Sequence, residues 1–209
     1  MSDEFLQELL RRWRTLTALF NQVLARIGEK RISSADDTGD SAQVLRDEYP
    51  QALDQILAVY PWTCATRRKA LAQKEGDNLT DYAYMFQIPV DCVTVQALID
   101  GDSKVLIPYD CIIEGDTLYC NTENLVIRYT KRIEFYEMDT LLVEAFVLLL
   151  AHKVAWRITQ SVDIENDMYG RYQVALQEAA NADGVEKARR FNAQIADIDN
   201  WREDEKDKY

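Results

Sequence analysis

Apolar positions Phe5, Leu9, Trp13, Leu16, Leu19, Phe20, Val23, Leu24 and Ile27 recur at spacings of three and four, the period that gathers side chains on one face of an α-helix. They predict a helix over residues 3–27, and Gly28 marks its stop because glycine accepts the left-handed conformation that ends helices. A polar loop follows over 29–40. Asp40 then reads as an N-cap, with Gln43 three residues on to complete a capping box, so a second helix is expected to begin near Ser41. Pro50 lacks the N–H of a helix interior, which predicts either a restart at Pro50 or a kink there. Leu53, Ile56, Leu57 and Tyr60 resume the helical period up to Pro61, and a short helix is expected from Trp62 to Gln73 with its arginines on the polar side.

Beyond the loop Glu75 to Thr80 the period shortens to two. Tyr82, Tyr84, Phe86 and Ile88 alternate with other residues, as do Val93, Val95, Ala97 and Ile99, and Asp100-Gly101 reads as a turn. Ile112 and Ile113 lead through Glu114-Gly115-Asp116 into Leu118 and Cys120, a hairpin, and Leu125, Ile127 and Tyr129 form a last strand. From residue 138 to 158 nearly every face is apolar, which predicts a helix covered on all sides. Ser161 is placed to cap another helix, with Ile164, Met168, Tyr172, Ala175, Leu176 and Ala179 as its stripe. The pattern predicts an α+β fold: a single domain over 1–209, in which helical parts (1–74 and 136–191) flank an inserted antiparallel β-sheet at about 82–131. An extended arm is expected over 192–209.

Four segments occur in a distinctive order. Arg31-Ile32-Ser33-Ser34-Ala35-Asp36-Asp37 follows the first helix, and Pro61-Trp62-Thr63-Cys64-Ala65-Thr66-Arg67-Arg68-Lys69-Ala70-Leu71 separates helix from sheet. Ile88-Pro89-Val90-Asp91-Cys92 joins two strands, and Arg128-Tyr129-Thr130-Lys131-Arg132 feeds Leu141-Leu142-Val143-Glu144-Ala145-Phe146 and then Ala155-Trp156-Arg157-Ile158-Thr159. In serial order this series resembles the head-tail adaptors of short-tailed bacteriophages, the tail tubular protein A connectors. It departs from the family's pattern at Cys64, where Phe is common, and in carrying additional amino-terminal residues. The resemblance implies a structural virion protein without enzymatic activity: a homo-oligomeric ring of about twelve copies that joins the portal protein to the tail nozzle, or tubular protein B. The genome would pass through its lumen without sequence-specific binding. Such a protein assembles in the host cytoplasm and ends in the virion.

Composition changes the picture in two respects. Lys and Arg number 24 against 36 Asp and Glu, a formal net charge of −12, which opposes tight nucleic-acid binding because phosphate neutralisation needs basic clusters. Like charge is compatible with DNA passing an acidic wall. The cysteines Cys64, Cys92, Cys111 and Cys120 form no CxxC pair, and they read as reduced thiols of a cytosolic product. The longest apolar run, Ala145 to Ala151, falls far short of the ~20 residues of a membrane span, so no membrane partner is expected.

Candidate chemistry is sparse. His152 is the single histidine and sits on the most apolar helix without a nucleophile elbow, which favours a satisfied core or interface histidine over a catalytic base. Asp36, Asp37 and Asp40 depart from the EF-hand spacing and read as loop solvation and helix capping; no metal and no cofactor are expected. Arg67, Arg68 and Lys69 are read either as ion-pair partners for acids of the same or a neighbouring subunit, or as contributors to intrachain stability. Trp62 is read as a subunit-interface anchor or as a core tryptophan at a helix corner. In the charged tail, Ile195, Ile198, Trp201 and Tyr209 are too dispersed to build a core; a portal-docking arm and a solvated tail are the two readings. A small cytosolic enzyme without a recognisable motif and a helical regulatory module stand as alternatives to the adaptor.

Overall fold

The computed structural model describes residues 15–101, 105 and 110–206, with the backbone alone from residue 190 onward. It divides into two compact units: residues 1–49 with 139–209, and residues 50–138. Its helices and two three-stranded antiparallel sheets make an α+β fold.

In the first unit, α1 spans Leu16–Arg26; the part of the expected helix before Thr15 lies outside the described residues. Thr15 caps it by accepting the Ala18 N–H on its hydroxyl at 3.2 Å. Its end follows the glycine rule. Gly28 adopts φ +77°, the Glu29 N–H donates to the Leu24 carbonyl at 2.9 Å, and the Gly28 N–H donates to the Ala25 carbonyl at 3.4 Å. Buried Asn21 then pins the next loop reciprocally: its amide donates to the Ile32 carbonyl at 3.0 Å and its carbonyl accepts the Ile32 N–H at 2.8 Å. Helix α2 spans Asp40–Ala58 and begins with Asp40 inside the helix.

Pro50 neither ends α2 nor restarts it. The helix runs through it, because Ala42, Leu45, Ala52, Leu53, Ile56 and Leu57 are all buried at helical spacings on both sides of the proline. That continuous burial outweighs the one hydrogen bond a proline removes. Pro50 is also where the division between units falls.

Helix α3, Thr140–Thr159, is buried without interruption from Ala145 to Ala151, but the cover expected on all sides does not extend to its ends, where Leu141 and Trp156 are exposed. Gln160 takes the left-handed conformation at φ 55°, the Ser161 hydroxyl accepts the Ile164 N–H at 3.4 Å, and the chain reverses into α4, Val162–Lys206. Met168, Tyr172, Ala175 and Ala179 bury the expected stripe as α4 packs along α3. Edge-to-face contacts link Phe20 to Tyr49 (6.1 Å) and Tyr49 to Phe146 (5.7 Å), which joins α1, α2 and α3 in one core. The arm expected over 192–209 is helical backbone as far as Lys206. The reason is compositional: residues 185–206 contain neither Gly nor Pro, so nothing in the chain stops propagation. Ile195, Ile198 and Trp201 therefore lie on helix, while Tyr209 lies outside the described residues.

The second unit is wider than the expected insertion. The segment Trp62 to Gln73, expected to be helical, is instead a turn followed by strand β1, Thr66–Ala70. Pairing with a distant strand overrides the helix preference of Arg-Arg-Lys-Ala. The remaining strands are β2 (Tyr84–Gln87), β3 (Cys92–Asp100), β4 (Cys111–Glu114), β5 (Thr117–Cys120) and β6 (Leu125–Lys131). They form two sheets rather than one, ordered β1-β6-β3 and β2-β5-β4. Leu125 from the first sheet and Phe86, Leu118 and Cys120 from the second share a core, with Leu71, Ile88 and Leu98 against it. Among the described residues no helix is long and apolar enough to cross a membrane.

Candidate interaction site

The conspicuous site is built by the turn between α2 and β1. Trp62 is 1% exposed, and its indole N–H donates to the carbonyl of Ile56, in the last turn of α2, at 2.7 Å. Tyr60 lies against the indole with ring centroids 4.6 Å apart. Trp62 is thus the core tryptophan of the two readings, and its burial removes it as a surface anchor. The Ala65 and Thr66 N–H groups donate back to the Trp62 carbonyl at 3.2 and 2.9 Å, which closes the turn and sends the chain into β1.

β1 is an edge strand, and Arg67, Arg68, Lys69 and Ala70 are exposed along it. The three cations have different fates. The Arg67 guanidinium donates to the carbonyls of Cys64 (2.8 Å) and Thr66 (2.9 Å), so it stabilises its own turn and makes no ion pair among the described residues. Arg68 and Lys69 likewise make no ion pair among the described residues. The register sets Arg68 directly opposite Arg128 of β6, a like-charge pair that is unfavourable across strands. Arg128 is half-buried, and its Nε has no hydrogen-bond partner among the described residues. Beside them Gln96 donates to the hydroxyls of Thr66 and Thr130, each at 3.0 Å, locking β1, β3 and β6 together across one face. The result is an exposed cationic edge strand whose Arg68 and Lys69 make no ion pair among the described residues.

Neighbouring charges are matched locally. The Tyr129 hydroxyl donates to the Asp91 carboxylate at 3.2 Å, with Lys131 at 4.0 Å from the same carboxylate, and Arg132 pairs with Asp54 at 3.2 Å. Burial raises the Tyr129 phenol above its ordinary value and the Asp91 charge adds to the shift, while Arg67 pulls the other way. The turn that carries Asp91 presents Val90 fully to solvent, at 102% exposure. That prominence follows from the Cys92 N–H closing the turn onto the Pro89 carbonyl at 2.9 Å.

Elsewhere the candidates resolve into structural roles. The Asp37 carboxylate accepts the N–H groups of Ser33 (2.9 Å) and Ser34 (3.1 Å), and Arg46 donates to the carbonyls of Ala35 and Asp37. Among the described residues no group of three His, Cys, Asp or Glu converges as a metal site. His152 lies against Tyr169 at 5.0 Å between centroids and donates through Nδ1 to the Glu165 carbonyl at 3.2 Å, linking α3 to α4. The sequence reading missed Arg128, whose role is visible only once the register places it beside Arg68. No known family model matches the chain, and no curated protein sequence is significantly similar to it.

Proposed function

We propose that the chain is a structural subunit of a head-to-tail connector in a short-tailed phage virion, a ring of about twelve copies between portal and tail nozzle. The observation that carries this reading is the segment Pro61 to Leu71, where the resemblance to the adaptor family is densest. Its tryptophan is committed to the core, and its Arg68 and Lys69 stand on an exposed sheet edge without an ion pair among the described residues. In a chain of net charge −12, a cationic edge suits an acidic face of the next copy, the heterologous contact from which closed rings are built. Ile195, Ile198 and Trp201, apolar positions among charges on the helical backbone of α4, are the proposed portal-docking positions. The acidic balance serves a lumen that must not hold DNA.

Electrostatics supplies the test. Repulsion between highly charged copies acts over long distances and is screened as the Debye length falls from ~10 Å at 0.1 M salt to ~3 Å at 1 M. Ion pairs of Arg68 and Lys69 that become buried between copies are screened much less. The purified chain is therefore expected to be mainly monomeric at low salt and to associate as salt rises, followed by light scattering. The double variant Arg68→Glu, Lys69→Glu, which sets a carboxylate opposite Arg128, is expected to melt no lower than the parent and to lose that association. Association of the variant equal to the parent at every salt concentration would remove the cationic edge from the assembly.

A further inference from the structure

The second sheet holds a pair of thiols that the adaptor reading does not use. Cys111 and Cys120 are directly opposed across the β4–β5 hairpin, and both are free. Their position in the ladder follows from the turn. Gly115 and Asp116 are a two-residue connection with Gly115 at φ +59°, the glycine-first geometry of a tight hairpin. The flanking residues Glu114 and Thr117 are the first and last of that β-turn, so they form a hydrogen-bonded pair. Pairs alternate along an antiparallel ladder: Ile113 and Leu118 are non-hydrogen-bonded, Ile112 and Tyr119 hydrogen-bonded, and Cys111 and Cys120 non-hydrogen-bonded again. At such sites the Cα atoms lie about 4.5 Å apart, inside the roughly 4.4 to 6.8 Å that a disulfide spans.

The two thiols face the same core and are close enough to influence one another, since the Cys120 neighbour helps to raise the Cys111 thiol. Their accessibility differs in a useful way. Cys120 is fully buried, its sulfur held by the Thr122 carbonyl (3.3 Å) and N–H (3.4 Å), while Cys111 is half-buried at the sheet edge. Cys111, the less buried of the two, is the residue of the pair nearer to solvent.

We propose that Cys111 and Cys120 are a redox-active dithiol, which a small diffusible disulfide such as oxidised glutathione converts into a cross-strand disulfide. The Cys111 thiolate attacks one glutathione sulfur, the glutathione S–S bond breaks, and the first glutathione leaves as a thiolate. Cys120 then attacks the Cys111 sulfur of the mixed disulfide, the protein S–S bond forms, and the second glutathione leaves. The protons of the two cysteines pass to the two glutathione thiolates, so two protein sulfurs are oxidised as two glutathione sulfurs are reduced. Burial, and then the Cys120 neighbour, pushes the Cys111 thiol up to about 12, which makes the reaction slow at neutral pH and strongly base-accelerated. The bond would tie the edge strand β4 to the central strand β5. The inference stands independently of the virion role.

The experiment is thiol counting and peptide mapping on the native chain treated with oxidised glutathione. Two of the four thiols are expected to disappear, with Cys111 and Cys120 recovered in one cross-linked peptide and both restored by dithiothreitol. The rate should rise about tenfold per pH unit between roughly pH 7 and 9. Cys120→Ser should stop at a stable glutathione adduct on Cys111, and amide exchange in β4 of the oxidised parent should slow. The proposal is overturned by a lasting glutathione adduct on Cys111 in the parent, by a link involving Cys64 or Cys92, or by four retained thiols in the native chain under conditions that oxidise the denatured one.

Discussion

Replacing Trp62 isolates the two contributions it makes to the corner between α2 and β1. Trp62→Phe keeps an aromatic ring in the core but deletes the indole N–H that reaches the Ile56 carbonyl at 2.7 Å. Leaving a buried acceptor without that donor costs about 1 to 3 kcal/mol. Trp62→Ala removes the packing as well, including the Tyr60 contact, and belongs with large-to-small core changes that cost roughly 3 to 5 kcal/mol. Urea denaturation reads the difference. With a slope near 2 kcal/mol/M, the phenylalanine variant should shift the midpoint down by roughly 0.5 to 1.5 M and the alanine variant by roughly 1.5 to 2.5 M. Because Trp62 seats the start of β1, both variants should also loosen the edge carrying Arg68 and Lys69, seen as faster amide exchange over Thr66–Ala70. A phenylalanine variant as stable as the parent would refute the hydrogen bond's contribution, and an alanine variant no worse than the phenylalanine one would refute that of the packing.

Other perturbations address other parts of the chain. Hydrogen bonds from Gln87, Thr117 and Lys74, followed by the Lys74 charge, lower the Asp116 carboxyl to about 2. A depressed carboxyl stabilises the fold above its unfolded value of roughly 3.9, and that contribution is lost as pH falls through about 2. NMR titration should find Asp116 well below the ordinary carboxylate range, and an ordinary value would contradict the hairpin geometry. Arg26 grips Glu144 through two contacts of 2.6 and 2.8 Å between α1 and α3, but both side chains are about 40% exposed. Glu144→Gln should therefore cost less than about 1 kcal/mol, and the cost should vanish in 1 M salt; a larger loss in thermal melting would show a dry pair. Truncation after Phe191 should leave the melting temperature nearly unchanged while abolishing co-sedimentation with portal rings. Trp201→Ala should reproduce part of that loss, and undiminished sedimentation would contradict the docking role.

Elements whose side chains are sorted by burial were legible in the sequence. Leu125, Ile127 and Tyr129 alternate because one face of β6 is core, α3 is apolar without a break from Ala145 to Ala151 because it is buried there, although Leu141 and Trp156 are exposed toward its ends, and Gly115 marks the hairpin because its backbone needs a positive φ. β1 was not legible for the converse reason. All but the first of its residues are exposed, so no apolar alternation marks it, and only the ladder to β6 makes it a strand. The same non-local pairing hid the site's geometry: Arg68 and Arg128 are 60 positions apart and meet through register alone. Pro50 does not restart the helix because its local cost is smaller than the burial that continues past it. The division of the strands into two sheets depends on partner choice, which alternation does not encode.

The connector reading meets its most direct test in negative-stain images of the purified chain mixed with the portal protein encoded in the same genome. The account predicts closed rings of this chain seated coaxially on portal rings, with Arg68→Glu, Lys69→Glu preventing their closure and truncation after Phe191 preventing their seating. Bare portal rings beside a chain that stays monomeric at every salt concentration would contradict it.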